Sequence, residues 1–398
     1  MISFDNTEIA FRSKNNKDLQ RAYLLFKIIG APTIVKVGKL LTPIALQLRL
    51  PIKGLIKKTI FKQFCGGETI AECDVAISSL AAFGIGTILD YSVEGKTKDV
   101  DFEQTTQIII ETIEKSATDK NIPFAVFKIT GIAAHHLLEL VSTQIRTSRK
   151  GKDFRPYSSE EKEQIKAIID RIDRICAAAA KHNTRLFIDA EETWIQTAID
   201  QWTFEMMCKY NQTNCIVYNT VQMYRHDRLS YLYTEYQRAL NAGIKYGVKL
   251  VRGAYMEKER ARATEKGYPS PIQPDKQSTD KDYDTALEFL VANADVFSIC
   301  AGTHNEQSSL YLTELLKKAQ MPPSNPQFYF AQLLGMSDHI SYNLTDAGYQ
   351  VAKYVPFGPV NEVLPYLLRR ADENTSVAGQ TSRELSLIIK EKTRRKTL

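Results

Sequence analysis

From Gly86 onward, short β-rich apolar runs alternate with longer stretches of amphipathic, helix-period pattern. Eight runs stand out. They are GTILDYSV from Gly86, PFAVFKIT from Pro123, TRLFIDAE from Thr184, CIVYNTVQMY from Cys215, GVKLVRG from Gly247, VFSICAGT from Val296, QFYFAQLL from Gln327 and QVAKYVPF from Gln350. Short runs rich in β-branched and aromatic residues, separated by helical segments, predict parallel strands joined by crossover helices. Eight strands with seven helical segments between them suit a (β/α)8 barrel, whose site is built at the C-terminal strand ends. An open doubly wound sheet is the alternative. Its usual GxGxxG turn after the first strand is missing, because Gly84 and Gly86 precede that strand.

The flanks have a different pattern. Residues 1 to 83 read as helical, with breaks at Gly30, Pro32, Pro43 and Pro51. Within them, Ile44 to Phe64 is amphipathic and carries Arg49, Lys53, Lys57, Lys58 and Lys62. That pattern fits a membrane-surface helix, and more commonly a helix packed on its own domain with a solvated basic face. Lys150 to Glu163 reads as a polar loop into a helix capped near Ser158 or Ser159, with Glu161 placed for a capping box. Tyr268 to Asp284, with Pro269, Pro271 and Pro274, reads as a long loop able to cover a barrel mouth. The expected division is a helical segment 1–83, a barrel 84–376, and a C-terminal helix and basic tail 377–398.

Length agrees with the pattern, since a barrel of about 250 residues plus a helical addition uses 398 residues in one body. Apolar residues at 43% and charged ones at 25% are ordinary for a soluble globular chain and argue against disorder. The net charge of +6 suits an anionic ligand and falls short of a nucleic-acid footprint, so no nucleic-acid partner is expected. Six cysteines without CxxC spacing imply reduced thiols in a reducing compartment. No run of about 18 apolar residues occurs. Asp5 and Glu8 near the start, with no cleavage site, argue against a targeting peptide. The expected location is cytoplasmic, with a peripheral contact on the inner face of the membrane if the basic helix makes one.

A barrel would bring Lys128, Thr130, Asp189, Glu191, Gln222, Lys249, Tyr255, Thr303, His304 and Tyr354 to one set of strand ends. Lys128, inside FAVFKITG, is the most telling, because a charge in a buried strand is costly unless it is paired or faces a ligand. Its bland explanation is a structural ion pair with Asp189 or Glu191. Arg369, Arg370 and Glu373 sit at helical spacing, which on its own signifies surface ion pairs worth a few tenths of a kcal/mol. His304 has no ligand-spaced partner beyond the distant His135 and His136, so no metal is implied.

The stretch KLVRGAYMEKERARA, Lys249 to Ala263, turns from strand into helix with Lys249, Arg252 and Tyr255 at the turn. IDAEETW precedes it, and GTHNEQ, QLLGMSDHIS, KYVPFGPV and YLLRRADENTS follow. In this order the blocks resemble those of the proline dehydrogenase family, flavoenzymes that oxidise proline, over roughly Gly84 to Ser376. The resemblance implies a distorted barrel with a C-terminal helix over its mouth. It also implies oxidation of L-proline to delta-1-pyrroline-5-carboxylate by hydride transfer to FAD. Its cofactor contacts would be Gln222, Lys249, Val251, Gly253, Thr303, His304 and Glu373. Its catalytic set would be Lys128, Asp189, Tyr255, Leu333, Tyr354, Arg369 and Arg370, with the two arginines clamping the substrate carboxylate. Tyr354 would favour proline over 4-hydroxyproline, where hydroxyproline enzymes carry a smaller residue. A membrane quinone would accept the electrons, and a separate delta-1-pyrroline-5-carboxylate dehydrogenase would act next, since no second catalytic domain fits in 398 residues. Lys249 departs from bacterial members with Arg there, and Met256 from members with Trp, which is closer to the mitochondrial-type branch. Hydroxyproline dehydrogenase and a non-catalytic amino-acid-binding barrel or membrane-surface scaffold are the alternatives.

Overall fold

Eight parallel strands close into a barrel, in sequence order, in the computed structural model. They are β1 (Gly86–Tyr91), β2 (Phe124–Lys128), β3 (Arg185–Asp189), β4 (Val217–Gln222), β5 (Tyr246–Val251), β6 (Phe297–Gly302), β7 (Phe328–Leu333) and β8 (Val351–Phe357). Seven of the predicted runs contain their strand whole, and β5 begins one residue before its run, at Tyr246. The structure describes residues 2–31, 33, 36, 52–93, 97–376 and 380–397, without the side chains of 371–382. Nearly every strand residue is buried, as strands covered on both faces require.

Two compact units divide the chain, Met1–Glu94 with Ala331–Leu398, and Gly95–Phe330. In the second unit the parallel register sets Lys128 opposite Asp189 and Thr220 opposite Lys249. The N-terminal ends of these strands are filled by aromatic rings. Phe124 stacks on Phe187 at 4.4 Å, and Tyr218 meets both rings edge-on. Apolar filling at one end leaves the polar residues of the same strands to the other, as in a packed barrel rather than a pore.

Local signals account for several element boundaries in this unit. The Ser158 side chain accepts from the Glu161 amide and Glu161 answers the Ser158 amide, a complete capping box starting the helix Ser159–Lys181. The helix Met256–Lys266 ends at Gly267, whose φ of +68° is a left-handed C-terminal cap. The predicted loop Tyr268 to Asp284 is corrected by the structure, which starts the helix Lys276–Ala292 inside it. All three prolines lie before Asp275, and the Asp275 carboxylate caps the Ser278 amide at 2.7 Å, so helix begins as soon as the prolines end.

In the first unit, β1 and β8 pair from Gly86↔Ala352 to Tyr91↔Phe357. The helix Asn16–Ile29 ends at Gly30, as expected, and buries Leu19, Ala22 and Phe26 against Leu387 and Ile388 of the helix Gln380–Arg394. Of the predicted amphipathic helix, residues 44–51 lie outside the described residues, as do Pro32, Pro43 and Pro51. Its remainder is helical from Lys53 to Phe64 with a π-helical turn over Lys57–Phe61. Part of its basic face is used internally, since Lys57 meets Glu68 at 2.7 Å and Lys53 meets it at 3.5 Å. All six cysteines are free thiols. No helix among the described residues is long and apolar enough to cross a membrane.

Candidate active site

Lys128 and Asp189 are the last residues of adjacent strands, and Lys249 stands two residues from the end of β5. Lys249 Nζ donates to Asp189 Oδ1 at 2.5 Å, while Lys128 Nζ stands 4.0 Å from Oδ2. Thr220 Oγ1 donates to the Ile188 carbonyl at 2.9 Å and lies 3.4 Å from Asp189 Oδ1. One carboxylate therefore lies between two ammonium groups in a largely buried place. Burial strengthens that field, because low dielectric weakens screening. The Lys249 ammonium also lies 5.3 Å from the Phe187 ring centre, a cation–π contact that lowers its desolvation cost.

Glu191, two residues beyond Asp189, is 3% exposed. Its carboxylate accepts from the Thr130 amide at 3.0 Å and from the Thr130 hydroxyl. Its amide donates to Gln196 Oε1 at 2.7 Å, and its carbonyl accepts from Gln222 Nε2 at 3.1 Å. Burial, only partly offset by the Thr130 donors, pushes its carboxyl up to about 7. Glu191 is thus a proton-exchanging group near neutrality beside a fixed positive pair.

The ends of β5 and β6 are joined by Arg252. Its guanidinium donates to Asp280 Oδ1 at 2.8 Å, Thr303 Oγ1 at 2.7 Å and Ser308 Oγ at 3.0 Å, and lies 4.3 Å from the Tyr283 ring centre. Arg252 therefore fixes Thr303 and, with it, the segment carrying half-buried His304. Val251 closes β5. Gly253 has φ +138°, and a Cβ there would lie 2.5 Å from the Tyr224 ring, so only glycine fits. Tyr255 is the residue from which the helix Met256–Lys266 starts, and Met256 is exposed.

Leu333, Tyr354, Arg369 and Arg370 belong to the other unit. Leu333 closes β7 and packs against a cluster that includes Met336, Val363 and Leu367. Tyr354 was expected at the end of β8 and is corrected to its middle. Pairing with β1 continues through Asp90↔Pro356 to Tyr91↔Phe357, so Pro356 does not end the strand. Arg370, on the helix Leu364–Ser376, is 6% exposed with its guanidinium 5.0 Å from the Tyr366 ring centre. Burial removes Arg370 from the surface ion-pair explanation, while Arg369 is half-buried. The Glu373 side chain lies outside the described residues.

The structure thus gathers Lys128, Asp189, Lys249, Glu191 and Gln222 into one cluster and joins Arg252 to Thr303 beside it in sequence. Arg252 was visible in the sequence only as a residue of the turn, because its partners come 28 to 56 residues later. This donor set fits a flavin. An ammonium, an amide and a guanidinium match the ring carbonyls and phosphates of such a group, and Gly253 leaves backbone uncovered by a side chain.

Comparison with known proteins gives concordant results. A family model described as proline dehydrogenase matches residues 73–383. "Proline dehydrogenase 1, mitochondrial" of Dictyostelium discoideum is 32% identical over 98% of this chain and 74% of its own length. "Hydroxyproline dehydrogenase" of Xenopus laevis is 32% identical over 99% of this chain and 90% of its own. A solved structure of proline utilization A (PutA) from Bdellovibrio bacteriovorus, inactivated by N-propargylglycine, superposes over 93% of this chain with a TM-score of 0.71 at 18% identity. This chain spans 38% of that protein's length, and at this identity the likeness is one of fold.

Proposed function

The chain belongs to the proline dehydrogenase family, a family of flavin-dependent oxidoreductases, and from that premise we propose that it oxidises L-proline to delta-1-pyrroline-5-carboxylate with FAD. The observation that carries this reading is the Lys128–Asp189–Lys249 group at the strand ends, with two ammonium groups about one carboxylate. Proline is a zwitterion whose secondary amine must lose a proton before C5 can release hydride, since the nitrogen lone pair forms the C=N bond. Lys128, with Arg369 and Arg370, would hold the carboxylate. The same cations disfavour the ammonium form of the substrate. Asp189 would keep the two lysine ammonium groups in place, and Glu191 would take or return a proton near neutral pH. Gln222, Lys249, Val251, Gly253, Thr303, His304 and Glu373 would hold the cofactor, which when bound supplies the two-electron sink for the hydride. Tyr255 and Leu333 would line the substrate's apolar ring. The barrel proper would be 84–376, a membrane quinone would take the electrons, and a separate dehydrogenase would consume the product. The cytoplasmic location, with peripheral contact at the inner membrane face, belongs to the same proposal.

Hydroxyproline dehydrogenase is the second reading, because the Xenopus relative bearing that name matches the chain as well as the Dictyostelium one does. Purified protein tests the main reading directly. A yellow flavin spectrum that bleaches on adding proline is expected. Protein that takes up no FAD, or whose flavin bleaches only with 4-hydroxyproline, overturns it.

A further inference from the structure

A cavity of about 500 Å³ lies among the helices His135–Arg149, Thr193–Tyr210, Arg228–Ala242 and Met256–Lys266, closed on one side by Tyr268, Pro269 and Pro271. Six arginines line it against three carboxylates, Glu139, Asp200 and Asp227. Four of the arginines are matched. Arg262 pairs with Glu139, Arg228 with Asp200 at 2.7 Å, Arg225 with Asp227 at 2.6 Å, and Arg238 with Glu235 at 2.7 Å. Arg146 and Arg149 have no carboxylate partner among the described residues. Arg146 instead donates to the Trp194 carbonyl at 3.2 Å and to Thr143 Oγ1 at 3.1 Å, and Arg149 is exposed.

Arg225 supplies the observation that points to a ligand. It is only 6% exposed, and its Nε and Nη2 are spent on Asp227 at 2.9 and 2.6 Å. Its Nη1 is buried and makes no hydrogen bond. A buried guanidinium donor left unmade carries the full desolvation cost, which an anion in the cavity would offset once the Arg225 side chain turns Nη1 toward it. Burial and the neighbouring Arg228 pull the Arg225 guanidinium down from its usual range, as expected where cations outnumber their partners. None of these residues belongs to the strand-end cluster.

We propose that this cavity is a binding site for a small phosphate-bearing anion, held by Arg146, Arg149 and Arg225. Guanidinium forks match phosphate oxygens in pairs, and two arginines without carboxylate partners beside one with an unmade donor favour a ligand with more than one negative charge. The volume lies within the range of small-molecule sites.

The test is calorimetric titration of the FAD-loaded protein at low salt with pyrophosphate and with ATP, followed in parallel by Trp194 fluorescence at the cavity wall. Saturable binding is expected, weakened about tenfold or more in either Arg146→Gln or Arg149→Gln, with proline oxidation retained as evidence of folding. Arg149 is exposed and has no carboxylate partner, so its variant should fold normally. Binding of both probes assigns the site to phosphate groups alone, and binding of ATP alone adds the nucleoside. No saturable binding up to about 10 mM, or affinities unchanged in both variants, overturns the proposal.

Discussion

Two buried groups in this protein have the same composition, two lysines around one aspartate, and opposite character. In the first unit Lys14 Nζ meets Asp338 Oδ2 at 2.7 Å and Lys353 Nζ meets Oδ1 at 3.0 Å. Lys353 is fully buried, and it also donates to the Met336 carbonyl at 2.5 Å and approaches the Leu333 carbonyl at 3.4 Å. Its three ammonium protons are thereby used. Burial alone would raise the Asp338 carboxyl, but Lys14 and Lys353 outweigh it and hold the group well below the usual carboxylate range. Asp338 also opens the helix Asp338–Asp346, where a negative charge is favoured by the helix dipole. In the second unit Lys249 holds Asp189 closely, but Lys128 stands 4.0 Å from that carboxylate, beyond hydrogen-bond reach, on the last residue of its strand. A lysine in a buried strand is thus not a functional signal in itself. Its place along the strand is what differs between the two groups, Lys353 inside β8 and Lys128 at the end of β2.

The largest effect should come from opening the Lys14–Asp338–Lys353 lock. Lys353→Met leaves Asp338 with one cation and is expected to cost about 3 to 5 kcal/mol in urea unfolding, the usual cost of breaking a buried pair. Lys128→Met should cost less than about 1 kcal/mol by the same measurement, because Asp189 keeps its shorter contact with Lys249. Equal losses in the two variants would erase the distinction between the groups.

Glu191 sharpens the same contrast through pH. Its carboxyl rises from 4.5 to about 7 on folding, so the folded state binds this proton more tightly than the unfolded chain. Stability from this group is therefore present below about 4.5 and is lost as pH rises through about 7, a change on the order of 3 kcal/mol. Asp338, held low, contributes the other way, with stability present above the usual carboxylate range and lost only in strong acid. Unfolding free energies between pH 4 and 8 should show a declining contribution that Glu191→Gln removes. An identical pH slope in the variant would mean that Glu191 does not titrate in this window.

The cations proposed to hold the substrate come next in size. Arg369→Met, Arg370→Met and Lys128→Met should each raise KM for proline with flavin still bound, by roughly 10- to 150-fold if each loses one charge-assisted hydrogen bond of about 1.5 to 3 kcal/mol. Unchanged KM values in all three would return these cations to structural duty. The burial of the Arg370 guanidinium excludes only the surface ion-pair explanation.

Much of the fold could be read from the chain because its signals are local. The strand runs declare themselves by composition, and Ser158 with Glu161 announces a helix start within four residues. Tyr268 to Asp284 misled because three prolines outweighed the single cap at Asp275. Lys353 passed unremarked in QVAKYVPF although it sits in as apolar a strand as Lys128 does. Its partner Asp338 lies in another element, and no local pattern reveals that pairing. Arg252 was missed as an organiser for the same reason. For the site, the residues alone gave an anion-binding set of strand ends, and individual roles came only through the resemblance.

Tyr354 lies in the same unit as the lock, and its proposed role at the substrate can be tested through it. It follows Lys353 directly, and alternation along a strand turns successive side chains to opposite faces. The bonds of Lys353 to Asp338 and Met336 anchor β8 on one face, and the Tyr354 carbonyl accepts from the Leu334 amide at 2.9 Å, so the register that aims the phenol ring is fixed twice over. Where a ring so placed covers the substrate, a 4-hydroxyl should meet a steric or desolvation penalty. Discrimination of this kind is worth about 1 to 3 kcal/mol, roughly 10- to 200-fold in kcat/KM. The wild type should therefore favour proline over 4-hydroxyproline, and Tyr354→Ser should lose most of that preference, chiefly by losing activity on proline. Lys353→Met, where enough protein folds, should shift the ratio in the same direction but less, because it loosens the register without removing the ring. A wild-type ratio near one, or a ratio unmoved by Tyr354→Ser, would falsify the assignment of Tyr354 and favour the hydroxyproline reading. A ratio altered by Tyr354→Ser but untouched in Lys353→Met would keep the residue and discard the lock as its support.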